Sequence, residues 1–236
     1  MELRQAIQSA LDKFQFYFDV FPGLGYQPLP WLGLSNARRS TGTVQRWTAI
    51  KEAISQYSCS SAMDLGCEVG FFSFSIASTG IPVLGVDKCE HYLRIARYTS
   101  KRMGITNVGF VSLEVNPNTM RLLPDVDAVI FLSVFHHWVR PLGFSAATEM
   151  LSRLWDKCRV VMFFETGETE IPPCFGLPEM KPTSQEWLED YLGKACEGSA
   201  VKHLGRFKAF GPGGDETKCI VERNLFEVRR VSNSRY

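Results

Sequence analysis

The chain has 236 residues, 45% of them apolar and 22% charged, with a formal net charge of +1. That length fits one large domain with a sizeable core. The charge balance excludes a global basic field for nucleic acid or anionic lipid. Cysteines at 59, 67, 89, 158, 174, 196 and 219 form no Cys-x-x-Cys pair. This pattern argues against a disulfide framework or zinc site and for a reducing, cytoplasmic setting. Glu2 and Arg4 break any signal-peptide pattern, and no stretch reaches the ~20 apolar residues of a membrane helix.

In chain order, Leu3, Ile7, Leu11, Phe14 and Phe18 recur at helical spacing and predict a helix over 2–20. Phe16, Tyr17 and Phe21 add aromatic surface, which leaves three readings: a packing helix, a lid, or a face for a second copy of the chain. Residues 22–41 are broken by proline and glycine. They end in Ser35-Asn36-Ala37-Arg38-Arg39-Ser40-Thr41, and a helix over 43–57 follows, carrying Arg46 and Trp47. Arg38, Arg39 and Arg46 could hold an anionic group of an acceptor, or form a solvated surface. Residues 1–57 are read as a helical and loop extension (a lid or the acceptor side), and 58–236 as the main domain.

From Ala62 strands alternate with helices, which predicts α/β architecture: a doubly wound, mostly parallel sheet. The strands fall at 62–64, 83–87, 108–111, 127–133 and 160–165. Helices are expected over 71–78, 89–103 and 145–156. After an irregular segment over 168–182, Thr183-Ser184-Gln185-Glu186 reads as a helix N-cap. Strand-like runs near 203–210 and 217–229 flank Gly211-Pro212-Gly213-Gly214-Asp215, an antiparallel hairpin.

Asp64-Leu65-Gly66-Cys67-Glu68-Val69-Gly70 joins a buried strand to a helix through a glycine turn. Nucleotide-like cofactors bind at such places because the backbone allows close approach and the first helical N–H groups are free. Asp87 ends the next strand, Val83-Leu84-Gly85-Val86-Asp87, where an acid can take a ribose diol. His136 and His137 follow the fourth strand at the crevice of such sheets. An imidazole there could deprotonate a hydroxyl, or one of the pair could bind a divalent cation such as magnesium. His137, further from the strand, is the chosen base. His136 or Glu165, at the end of the fifth strand, would assist or orient it.

Asp64-x-Gly66-x-x-x-Gly70 and Asp87 together resemble motifs I and II of the class I S-adenosylmethionine (SAM) methyltransferases, although Glu68 replaces the commonest glycine. The resemblance implies a seven-stranded Rossmann-like sheet and a SAM cofactor. It implies a cofactor-binding set of Asp64, Gly66, Cys67, Gly70, Phe71, Asp87, Lys88, Leu113, Glu114 and Ser133. In that pattern Asp64 and Gly66 lie by the methionine end, Leu113 or Glu114 by the adenine, and Ser133 by the sulfonium. Asp64-Leu65-Gly66-Cys67, Gly70-Phe71-Phe72-Ser73, Gly85-Val86-Asp87, Leu132-Ser133-Val134-Phe135-His136-His137 and Leu151-Ser152-Arg153-Leu154 resemble more narrowly the methyltransferase domain of WbdD-type O-antigen chain-terminating proteins. That likeness covers about residues 60–170. Such proteins methylate a terminal phosphate made by an attached kinase, which implies O-methylation of a hydroxyl or phosphate on a sugar or glycan end. The alternatives are methylation of another small molecule (a lipid or natural product), RNA methylation, and SAM binding without catalysis. In the RNA reading, Arg38, Arg39, Arg46, Arg229, Arg230 and Arg235 would track phosphates.

Overall fold

The computed structural model describes residues 27–33, 42–210 and 220–231. The helix expected over 2–20, Arg38, Arg39 and the turn over 211–215 lie outside them. The strands are β1 (Ala62–Leu65), β2 (Val83–Asp87), β3 (Val108–Ser112), β4 (Val126–Leu132), β5 (Cys158–Glu165), β6 (Ser199–Phe210) and β7 (Ile220–Arg230). The α-helices are α1 (Thr43–Ile54), α2 (Phe71–Ala77), α3 (Glu90–Met103), α4 (Phe135–Leu142), α5 (Phe144–Asp156) and α6 (Ser184–Ala195).

The strands form one sheet in the order β3-β2-β1-β4-β5-β7-β6. β1 to β5 run parallel, and β7 is antiparallel to both β5 and β6. Chain direction across the sheet reverses between β1 and β4, so the loops leaving those two strands diverge and open a crevice at their carboxyl ends.

Both faces of the central strands are covered, which is why β1 and β4 are buried at every position and, apart from Asp64 and Asp127, read as apolar runs rather than alternating ones. The period-2 geometry sends Val129, Phe131, Met162 and Phe164 toward α5 and α6, where Leu151, Trp155 and Leu192 meet them. Ala128, Ile130, Val161 and Phe163 face the other way, toward Ile50 of α1 and Phe72 and Ile76 of α2. Thr183 caps α6 as expected: its hydroxyl oxygen accepts from the Glu186 N–H at 3.2 Å and donates to Glu186 Oε2 at 2.8 Å.

One element corrects the sequence reading. The two histidines sit on a helix, α4, rather than on a plain loop. The helix is eight residues long, has no side-chain cap and contains Pro141, so neither propensity nor capping announces it.

Helix α1 enters the fold through Gly42, whose φ is +88°. A Cβ there would lie 1.9 Å from the carbonyl oxygen of Lys208 on β6. Gly104, with φ +65°, ends α3 in open space. Gly42→Ala is therefore expected to lose about 2 kcal/mol or more, from left-handed strain plus a backbone clash. Gly104→Ala should lose about 1 kcal/mol, from strain alone. Urea unfolding of the two variants side by side measures the difference.

Candidate active site

Asp64 lies one residue before the end of β1, a strand buried along its whole length, and is 3% exposed. Its Oδ2 accepts from the Ser73 hydroxyl at 2.6 Å, tying β1 to α2. Burial pushes its carboxyl up to about 7; the Ser73 bonds oppose this, and the nearby Asp87 charge adds to it. Between them the chain makes a tight turn. Gly66 has φ +78°, and a Cβ on it would lie 2.4 Å from Val134 Cγ2. Glu68 takes the left-handed conformation with φ +52°, at the position where the family pattern has glycine. Such a conformation is unfavourable by about 1–2 kcal/mol in a residue with a Cβ. The Glu68 N–H donates to Asp87 Oδ2 at 2.9 Å, which helps hold it there. The other Asp87 oxygen accepts from the Cys89 N–H at 2.8 Å. Asp87 thus locks both flanking loops, and each of its oxygens keeps a lone pair for another donor.

The first N–H of α2 is already occupied: Phe71 donates to Gln27 Oε1 at 3.0 Å. Gln27 comes from a strap over 27–33, whose Leu29 is buried with Val69, Phe74 and Ile95. Trp31 lies 5.1 Å from the Phe74 ring and 5.8 Å from that of Phe71.

A charged network joins the exits of β4 and β5. Glu165 is fully buried. Arg46 Nη1 donates to its two oxygens at 3.1 and 2.9 Å. The Ser133 hydroxyl donates to Oε1 at 2.6 Å and accepts from Arg223 Nη1 at 3.0 Å. Arg223 Nε donates to Glu170 at 2.8 Å. Behind these, Asn224 donates its side-chain N–H to Glu168 Oε2 at 2.9 Å. The residues expected as acceptor ligand and assisting base, Arg46 and Glu165, are therefore bonded to each other.

His136 is buried, and its Nδ1 accepts from the Gly167 N–H at 2.9 Å. That bond places the ring proton on Nε2, so His136 is left with a donor and no lone pair for a substrate proton. Burial, then the charges of His137 and Arg223, press its pKa down to about 2 and keep the ring neutral. His137 is exposed on the same helix, its ring 4.3 Å from that of His136. Partial burial of the ring, then the positive charges of Lys88, Arg223 and Arg140, hold its pKa below the usual histidine value. Phe175, from a single 3-10 turn over Pro173–Phe175, lies 5.9 and 6.0 Å from the two histidine rings. Arg140 covers that phenyl ring at 5.0 Å.

The remaining expected residues are spread around this centre. Cys67 is buried beneath the turn. The Leu113 N–H donates to the Asp87 carbonyl oxygen at 2.9 Å. Lys88 and Glu114 meet at 3.8 Å, with side chains 71% and 70% exposed, a contact of little energetic weight. Among the described residues no group of three or more His, Cys, Asp or Glu side chains could hold a metal ion, and the magnesium alternative finds no support there. No helix among them is long and apolar enough to cross a membrane.

Arg223, Glu170 and Gln27 carry much of this geometry and were not singled out from the sequence. Arg46 did leave a signal: it falls on the buried stripe Thr43, Arg46, Ile50, Ala53, Ile54. A charge on such a stripe calls for an interior partner.

A seven-stranded sheet of this order, with a glycine turn after β1 and an acid ending β2, defines the class I methyltransferase fold. The comparisons agree, since the profile described as "Methyltransferase domain" matches residues 63–155. The chain carries a class I methyltransferase domain, similar to the methyltransferase region of WbdD-type proteins. Over 126 residues it is 31% identical to the "O-antigen chain terminator bifunctional methyltransferase/kinase WbdD" of Escherichia coli. The match covers 50% of this chain and 16% of that protein. A solved WbdD structure superposes with a TM-score of 0.60 at 25% identity, covering 78% of this chain and 39% of the other. Magnesium protoporphyrin IX methyltransferase (ChlM) from Synechocystis PCC 6803, solved with bound SAM, shares the fold at TM-score 0.57 and 17% identity. That superposition covers 80% of each chain. The chain thus spans a minor part of the WbdD proteins it matches.

The raised Asp64 carboxyl has a consequence for stability. Its folded form prefers the proton, so its stabilising contribution is complete below about pH 4 and is lost as pH rises through about 7. An amide keeps an oxygen for Ser73 and does not titrate. Asp64→Asn is expected to gain on the wild type by up to ~4 kcal/mol between about pH 4 and about pH 8. Urea unfolding at both pH values tests this.

Proposed function

We propose that this chain is a SAM-dependent O-methyltransferase acting on a hydroxyl or phosphate oxygen of a sugar or glycan end. The observation that carries the cofactor assignment is Asp87. It lies half-buried at the end of β2, fixed by the Glu68 and Cys89 N–H groups, with lone pairs remaining for two ribose hydroxyls. The acceptor class rests on the similarity to the Escherichia coli chain terminator.

When bound, SAM supplies a methyl group on a positively charged sulfur. The turn from Gly66 to Gly70 offers backbone at close range, and Asp64 supplies a counter-charge once ionised. His137 is the residue assigned to take the proton of a hydroxyl acceptor. Its exposure gives access, and its depressed pKa keeps the imidazole neutral and able to accept at pH 7. A phosphate acceptor carries no proton to remove, and there Lys88 and Arg140 provide the positive surroundings of the crevice. Residues 1–57 are assigned to the acceptor side, with Arg38 and Arg39 as candidate anion ligands. Holding the partners in line is the larger part of the chemistry asked of the protein.

Calorimetry with SAM and S-adenosylhomocysteine tests the cofactor site. Wild type should bind both, and Asp87→Ala should weaken binding at least tenfold; undiminished binding by the variant would refute the assignment. Affinity for the cationic SAM should rise from pH 6 to pH 8 as Asp64 loses its proton, and Asp64→Asn should abolish that rise. With a hydroxyl acceptor, turnover should climb with pH to a plateau, with a midpoint below about 6.5, the ordinary histidine value. His137→Ala should remove this limb and slow turnover by about 10²-fold or more. A variant with full turnover would show that His137 is not the base.

A further inference from the structure

Ser133 is one of two described residues other than glycine with positive φ, at +59°. A serine stays in this conformation only when its surroundings over-determine it. Here Glu165 does so twice. Its main-chain oxygen accepts the Ser133 N–H at 2.8 Å, and its carboxylate accepts the Ser133 hydroxyl at 2.6 Å. The direction the chain takes after Ser133 matters to the site. It lays Val134 against Gly66, with no room for a Cβ between them, and starts the helix that bears His136 and His137.

The carboxylate that holds Ser133 is itself held by Arg46. Nη1 bonds both Glu165 oxygens. The rest of the guanidinium is anchored on the first turn of α1, through Thr43 Oγ1 at 3.3 Å and the Gly42 carbonyl at 3.4 Å. Gly42 in turn is wedged against β6. A second cation stands near: Arg223 Nη1 is 3.8 Å from Glu165 Oε1 while bonding Ser133, and its Nε bonds Glu170. Without Arg46, the buried carboxylate would draw Arg223 toward itself and away from these two partners. The carboxylate would remain compensated, and the geometry around Ser133 would be lost.

We propose that Arg46 is a positioning residue of the transferase site, acting through Glu165 to keep Ser133 in its left-handed conformation. The helix before the sheet is then a working part of the cofactor and acceptor crevice. This rests on the cofactor reading above.

The test exploits glycine, which adopts positive φ without strain. Binding of S-adenosylhomocysteine is measured by calorimetry for wild type, Arg46→Met, Ser133→Gly and the double variant, with circular dichroism to confirm folding. Arg46→Met should weaken binding at least tenfold in the wild-type background. In the Ser133→Gly background, where nothing has to be held, it should change binding by less than threefold. Tyr57→Phe is the control for stability. It removes the Tyr57 bond to the buried Glu227 carboxylate, away from this network, and should lower Tm with binding within twofold of wild type. Equal losses from Arg46→Met in both backgrounds would mean a merely structural role and overturn the proposal. So would binding within twofold of wild type in Arg46→Met itself. If the methionine variant fails to fold, Arg46→Lys in both backgrounds is read by the same criteria. Absence of binding by wild type would sink the cofactor reading and this inference together. Loss of binding in Asp87→Ala alone would leave the cofactor reading standing while the Arg46 result refutes the inference.

Discussion

A carboxylate with no access to water must find its counter-charges inside the protein, and Glu165 is in that position. Desolvating such a group is unfavourable by several kcal/mol, and only close, well-oriented cations and donors make up the difference. The chain meets this demand with partners from three other places: Arg46 before the sheet, Ser133 after β4 and Arg223 on β7. Hydrophobic layers on the two faces of the sheet could be assembled in many ways. The position of this one charge accepts far fewer. It determines where α1 lies, how the chain leaves β4, and which way the final hairpin turns its buried arginine.

The two sides of the crevice are built on different principles. On the β1–β2 side, the working groups are backbone N–H groups and glycines, gathered by Asp64 and Asp87. On the β4–β5 side they are side chains, laced together by Glu165 and by the bond from Gly167 to His136. That bond also separates the adjacent histidines chemically. His136 is closed off as a neutral donor within the fold, while His137 stays at the surface with its ring in tilted and edge-on contact with those of His136 and Phe175. Two identical residues, one position apart, thus have different chemistry, and the difference comes wholly from what the helix turns inward.

The parts legible in the sequence are those whose signal is local. Buried parallel strands read as apolar runs, and the turn after β1 advertised itself by Asp64, Gly66 and Gly70. The capping box at Thr183 and Glu186 is contained in four residues. What stayed hidden depends on distant partners or on weak local preference. Arg46 and Glu165 are 119 positions apart, and nothing in either neighbourhood names the other, so the sequence reads Arg46 as an acceptor ligand or a solvated surface and Glu165 as a group facing the crevice. Ser133 carries no mark of its positive φ, because a serine is an uncommon choice there. Helix α4 was missed because a short stretch holding two histidines, a tryptophan and a proline has little helical preference of its own. Glu68, which stands where the family pattern has its commonest glycine, adopts the left-handed backbone that a glycine would give.

Gln27 shows where this chain can be cut. Its side-chain oxygen receives the leading N–H of α2, and Leu29 and Trp31 of the same strap fill the hollow beside it. A fragment trimmed to the recognisable core, beginning near residue 58, would keep every motif by which the domain is known. It would nevertheless leave that N–H bare, open an apolar hollow to water, and remove Arg46 from Glu165, leaving Arg223 as the one described cation near it. For this protein the portable unit is larger than the recognisable one and takes in Gln27 and Arg46.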